Sequence, residues 1–154
     1  MFTREDGRYR DHELTLSSHA YRGRSVGSVA TNHQFPGHDF CFDIGQASLS
    51  STTISKVFIT HGHDDHIGGL GSHNLRRNGW GLDPASYYVQ EEDVDLVKGL
   101  VAAQCALNRS RALANVNIIP VNEQSAIAVG NSGFMVRPFR AAHKIPCLGY
   151  GVWS

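Results

Sequence analysis

Three histidines and two aspartates crowd into six residues, His61-Gly62-His63-Asp64-Asp65-His66. Imidazole nitrogen and carboxylate oxygen suit zinc, and manganese and iron accept them too. His61 and His63 are two apart. In extended chain, residues i and i+2 face the same side, so both rings can reach one ion. Asp65 and His66 are adjacent, at the start of a predicted helix, and need not follow that direction. They could serve a second ion beside the first. Two ions ~3.5–4 Å apart suit a hydrolase that must activate water and polarise a phosphoryl or acyl oxygen. Gly62, Gly68 and Gly69 let the backbone approach closely, as a crowded site needs. The bland alternative is a solvated polar loop, and this density of ligand-type side chains argues against it.

The elements around this stretch must hold it still. Residues 55–60 (SKVFIT) read as a short apolar strand that runs straight into the histidines, and residues 66–77 as a helix stopped by Asn78-Gly79. Catalytic groups are often carried on loops at strand ends because the sheet fixes their positions. Upstream, residues 12–20, 26–32 and 38–44 read as strands, the last with Phe40 and Phe42 on one face and Gly45 ending it. Downstream, Asp83-Pro84 marks a turn and residues 86–89 a strand. Residues 91–108 are the clearest helix. Glu91, Glu92 and Asp93 favour its N-terminus, and Leu96, Val97, Leu100, Val101 and Leu107 form one broad apolar face against a sheet. Strands follow at 116–120 and 125–129, a turn at 130–133, and strands at 134–141 and 147–153. Strands outnumber helices and the helices fall between them, which predicts an α/β (α+β layered) domain.

Composition narrows the function classes. A chain of 154 residues allows one domain with a real core. Lys plus Arg equals Asp plus Glu at 14 each, which argues against unselective nucleic-acid binding, though not against a local basic patch. Nine histidines raise the prior for a metal. Cys41, Cys105 and Cys147 are odd in number and widely spaced, and read as reduced core residues of a cytoplasmic protein. The polar N-terminus, MFTREDGRYRDHEL, is neither a signal nor a transit peptide, and no apolar run approaches the ~18 residues that cross a bilayer.

The stretch from Thr60 to Leu70 resembles the signature loop of the metallo-β-lactamase superfamily. Phe42-Asp43-Ile44-Gly45 resembles the family strand that ends in Asp-x-Gly just before that loop. Ala142-His143-Lys144-Ile145-Pro146-Cys147-Leu148-Gly149-Tyr150 resembles the ribonuclease Z segment in which a ligand histidine precedes a Pro-containing turn and Gly-Tyr. Ser25-Val26-Gly27, with Thr31 beyond, is similar to an early Gly-containing hairpin. The resemblance implies an αββα sandwich, with residues 1–154 supplying the first half and part of the second. It also implies that His61, His63 and His143 hold one metal, that Asp65 and His66 hold another, that Asp65 positions or deprotonates the attacking water, and that Asp43 supports the ligands from behind. Two zinc ions are expected in a complete site, with manganese or iron also fitting.

The family normally adds a bridging Asp and a last His, yet no Asp or His follows His143. The domain is therefore expected to be C-terminally incomplete, weakly active alone and prone to self-association, as in a homodimer. Three functions compete: a phosphodiesterase trimming the 3′ end of precursor tRNA, a hydrolase of a small ester, thioester or phosphodiester, and a metal- or partner-binding module without turnover. The remaining histidines, His12, His19, His33, His38 and His73, read as surface or polar-contact residues. Arg76 and Arg77 could meet a phosphate backbone, but a solvated helix face is the simpler expectation.

Overall fold

The computed structural model describes residues 11–153 apart from 17, 111–115 and 131–132. Most of the polar N-terminal stretch, and part of the turn expected at 130–133, therefore lie outside the described residues. Among the described residues, ten strands form two sheets. The larger has seven, in chain order: β1 (His12–Leu16), β2 (His19–Val26), β3 (Ala30–Phe35), β4 (Phe40–Phe42), β5 (Lys56–Phe58), β6 (Ser86–Gln90) and β7 (Asn117–Val121). The pairs from β1 to β4 are antiparallel and those from β4 to β7 are parallel. Parallel neighbours need crossovers. These contain α1 (Asp64–Ile67) and α2 (Leu70–Gly79) between β5 and β6, and α3 (Val94–Asn108) between β6 and β7. The smaller sheet is β8 (Ile127–Val129), β9 (Phe134–Arg140) and β10 (Leu148–Trp153), antiparallel with β9 central.

Two cores follow from alternation along the strands. Cys41, Val57 and Tyr87 face the helices and pack with Ile67, Leu70, Val97 and Val101. Phe40, Phe58 and Tyr88 face the other way and meet Val129, Val136 and Leu148 of the smaller sheet. The layers are thus helix, sheet, sheet, in agreement with the α/β layered expectation. Phe40 and Phe42 do share a face.

Several local expectations needed correction. The strand expected at 12–20 is a hairpin broken near Ser18, whose φ is +73°. The helix expected over 66–77 begins at Asp64 and breaks at Gly68-Gly69. The helix expected over 91–108 opens with a 3-10 turn at Glu91–Asp93. Its apolar face is narrower than the pattern suggested. Val97 and Val101, with the partly buried Cys105, form the buried i, i+4, i+8 stripe, while Leu96 and Leu107 are 72% and 84% exposed. One residue of helix turns the side chain by ~100°, enough to carry Leu96 off the sheet. Arg77 is buried, not solvated: its guanidinium donates to the carbonyls of Thr52, Ile54 and Asp83. Arg76 likewise donates to Ala47 and Ser48 carbonyls.

Candidate metal centre

The site sits where β4 and β5 end and the two sheets meet. After Phe42 the chain turns sharply at Asp43, which is buried with φ +58°, a left-handed conformation that Asp tolerates better than most residues. Its amide donates to the Phe58 carbonyl at 2.8 Å. The next residues clasp the histidine loop: Ile44 N–H donates to His66 O at 2.7 Å, and Gly69 N–H to Ile44 O at 2.8 Å. This approach requires glycine. A Cβ at Gly45 would collide with the Asp65 carbonyl, and one at Gly69 with the Ile44 carbonyl. The Asp-x-Gly and Gly-Gly of the sequence are thus two halves of one backbone contact.

The second sheet closes the site from the other side. Leu148 N–H donates to Thr60 O at 2.8 Å, and the Tyr150 hydroxyl donates to Ile59 O at 2.8 Å. Ala141 N–H to Cys147 O, 3.0 Å, pinches the loop that carries His143, and Gln90 donates to its Pro146 carbonyl at 2.9 Å.

Three ring nitrogens converge as a result. His61 Nε2 lies 3.0 Å from His63 Nδ1 and 3.1 Å from His143 Nε2. Ligand atoms from the three residues all lie within 4.8 Å of one another. Nitrogens on a tetrahedral zinc with ~2.0–2.1 Å bonds stand ~3.3 Å apart, and the two separations from His61 are close to that. Burial, with neighbouring His66 and His143, pushes His61 down to about 4, which keeps its ring neutral and its lone pair available.

Asp65 and His66 sit alongside, with His66 Nε2 3.7 Å from Asp65 Oδ2. Burial alone would depress the His66 ring, but Nδ1–H donates to Asp43 Oδ2 at 2.8 Å and that carboxylate raises it above its ordinary value. Burial acts on Asp65 in the opposite sense to its neighbours. The Ser28 amide, donating to Oδ2 at 2.8 Å, and the His66 ring hold its carboxyl below the usual range. Ser28 belongs to the Gly27-containing turn between β2 and β3 and has φ +61°.

All six residues singled out in the sequence therefore meet here: His61, His63 and His143 in one group, Asp65 and His66 in another, and Asp43 beneath both. The sequence reading missed three. Ser28 acts through its backbone, which residue type cannot reveal. Thr60 places its hydroxyl among Asp43, His61 and His66. Cys147, expected in a core, is half-buried with Sγ 3.9 Å from His61 Nδ1. Of the unassigned histidines, His73 is fully buried, whereas His19 and His38 pair through ring nitrogens 2.9 Å apart.

Comparison with known proteins agrees with this geometry. Residues 27–72 match the model of the metallo-β-lactamase superfamily, and that span contains Asp43 and the histidine loop. The chain is 32% identical over 141 residues to the chloroplastic tRNase Z TRZ2 of Arabidopsis thaliana, covering 92% of this chain and 39% of that one. It is 28% identical over 141 residues to a nuclear ribonuclease Z of Triticum aestivum, covering 92% of this chain and 78% of that one. The structure of YhfI from Bacillus subtilis, a metallo-β-lactamase-fold protein, superposes with a TM-score of 0.59 at 17% identity over 84% of this chain and 52% of that one. The chain has the metallo-β-lactamase fold, and its sequence is similar to those of ribonucleases Z. Among the described residues, no helix of this metallo-β-lactamase fold is long and apolar enough to cross a membrane.

Proposed function

We propose that the chain carries the metal-binding machinery of a metal-dependent hydrolase, a phosphodiesterase of ribonuclease Z type acting on the 3′ end of precursor tRNA. The convergence of His61 Nε2, His63 Nδ1 and His143 Nε2 on one point carries the reading. The similarity to tRNase Z and ribonuclease Z supports that substrate class. In this reading His61, His63 and His143 hold one ion, and Asp65 and His66 hold a second. Zinc suits both donor sets, and manganese or iron would be accepted. Bound ions would polarise the phosphoryl oxygen and supply hydroxide near neutral pH. The chain's own groups do the rest. Asp65, kept ionised, accepts a proton or hydrogen bond from the attacking water. Asp43 holds His66 in one orientation.

Elemental analysis of protein purified without chelator tests the metal. At least one transition metal per chain is expected, and none after adding zinc at neutral pH would overturn the assignment. Activity is tested on bis-p-nitrophenyl phosphate and on precursor tRNA. Asp65 and His66 are a thin ligand set for a zinc ion, which normally takes three protein ligands. A loosely placed ion, off by ~1 Å, can cost ~100-fold in rate. Residues 1–154 alone should therefore turn over slowly with zinc or manganese. Robust turnover by a clean monomer would mean that another residue completes the second set.

A further inference from the structure

A ring can offer Nε2 to a cation only if its proton sits on Nδ1, and that proton needs an acceptor. For His66 the acceptor is the Asp43 carboxylate. For His61 it is different. Its Nδ1 faces Thr60 Oγ1 at 2.9 Å, and also Cys147 Sγ at 3.9 Å, a longer contact to a weaker acceptor. The Thr60 hydroxyl has its own acceptor, since Oγ1 lies 3.0 Å from both oxygens of Asp43. A hydroxyl with one hydrogen and two lone pairs fits between them: it donates to Asp43 and accepts from His61.

We propose that Thr60 is a positioning residue that fixes the tautomer and orientation of His61 by relaying the Asp43 carboxylate to it. One buried carboxylate then orients two candidate ligands in different groups, His66 directly and His61 through a hydroxyl. This rests on the metal reading above for its purpose, though not for its geometry. The hydroxyl is held in place by backbone that does not depend on it. Thr60 N–H donates to Asp43 Oδ1 at 2.8 Å, and Thr60 O accepts from Leu148 N–H at 2.8 Å. Removing the hydroxyl should leave the strand end where it is and release only the ring.

The test compares Thr60→Val, which keeps shape, Thr60→Ala, which lacks both hydroxyl and methyl, and Thr60→Ser, which keeps the hydroxyl. Long-range nitrogen–proton NMR of the metal-free protein at pH 7.5 reads the His61 tautomer. Wild type and Thr60→Ser should hold the Nδ1–H form, while Thr60→Val and Thr60→Ala should show a mixture. Competition with a chromophoric zinc chelator reads affinity, where loss of such a supporting partner typically costs ~10–100-fold. Thr60→Ser should stay close to wild type. An unchanged tautomer in both hydroxyl-free variants overturns the proposal, as does zinc affinity equal to wild type in either of them. Equal loss in Thr60→Ser overturns it too. Wild-type protein with the expected tautomer but no zinc binding would instead overturn the ligand assignment.

Discussion

His61 and His73 have the same depressed basicity, each pushed down to about 4 chiefly by burial, yet the fold uses them in opposite ways. His73 lies between α2 and the large sheet. Its Nδ1 accepts from the Tyr87 hydroxyl at 2.7 Å and its Nε2–H donates to the Ser51 carbonyl at 3.0 Å. Both nitrogens have fixed partners of the right kind, so nothing remains for a ligand. His61 satisfies one nitrogen on Thr60 and aims the other at two more ring nitrogens. Ring nitrogens that meet lone pair to lone pair are satisfied best by a shared cation. A buried histidine is thus a candidate ligand or a strut according to what faces its second nitrogen.

That contrast can be broken at its strong end first. His61→Ala and His63→Ala should each lower zinc affinity by more than the ~100-fold reserved for loss of a supporting partner. His73→Ala should leave zinc stoichiometry unchanged in elemental analysis. Equal metal loss from all three would erase the distinction. Stability should show the converse. His73→Ala leaves the Tyr87 hydroxyl unpartnered and opens a cavity, and should cost about 2–4 kcal/mol in urea unfolding. A cost under about 1 kcal/mol would mean that the strut is dispensable.

The third effect is read by pH. Burial, with the charges of Arg77 and Arg76, keeps His73 neutral down to about 4, against the pull of the Ser51 carbonyl. Unfolded, the ring titrates near ~6.5. Between these values the unfolded chain binds a proton that the folded chain refuses, so stability rises with pH across this window. It should fall by up to about 3 kcal/mol as pH drops from ~6.5 towards 4. His73→Gln should lack that share of the slope. Identical slopes in the two metal-free proteins would assign the pH dependence elsewhere. The smallest effect belongs to His12, exposed on β1. His12→Ala should change stability by less than about 0.5 kcal/mol and leave metal content untouched.

Much of the site was legible because its signals are local. The spacing of His61 and His63, the strand running into them and the glycines after them occupy one short stretch, and the resemblance at His143 pointed to the distant member of the cluster. The buried histidine of the core, His73, was not legible. His73 sits in a helix with nothing in its neighbours to show that Tyr87 and Ser51 wait for it, since both partners come from elsewhere in the chain. Arg77 misled for the same reason: a charged helix residue usually faces water, and its three carbonyl acceptors are created only by folding. Leu96 and Leu107 misled in the opposite direction. Helical spacing tells which residues share a stripe, but not how wide a stripe the sheet will cover. Thr60 was hidden by ordinariness, as a β-branched residue at a strand end needs no further reason to be there.

His61 opens the crossover from β5 to β6 of the large sheet, while His143 stands on the β9–β10 loop of the small one, 82 residues further along the chain. An ion shared by these two rings would act as a removable cross-link. In chain-entropy terms, closing a loop of that length restricts the unfolded ensemble by about 4.5 kcal/mol. Much of the free energy of metal capture would then appear as resistance to separation of the sheets, and chelation would loosen the sandwich along the seam where catalysis is proposed to occur.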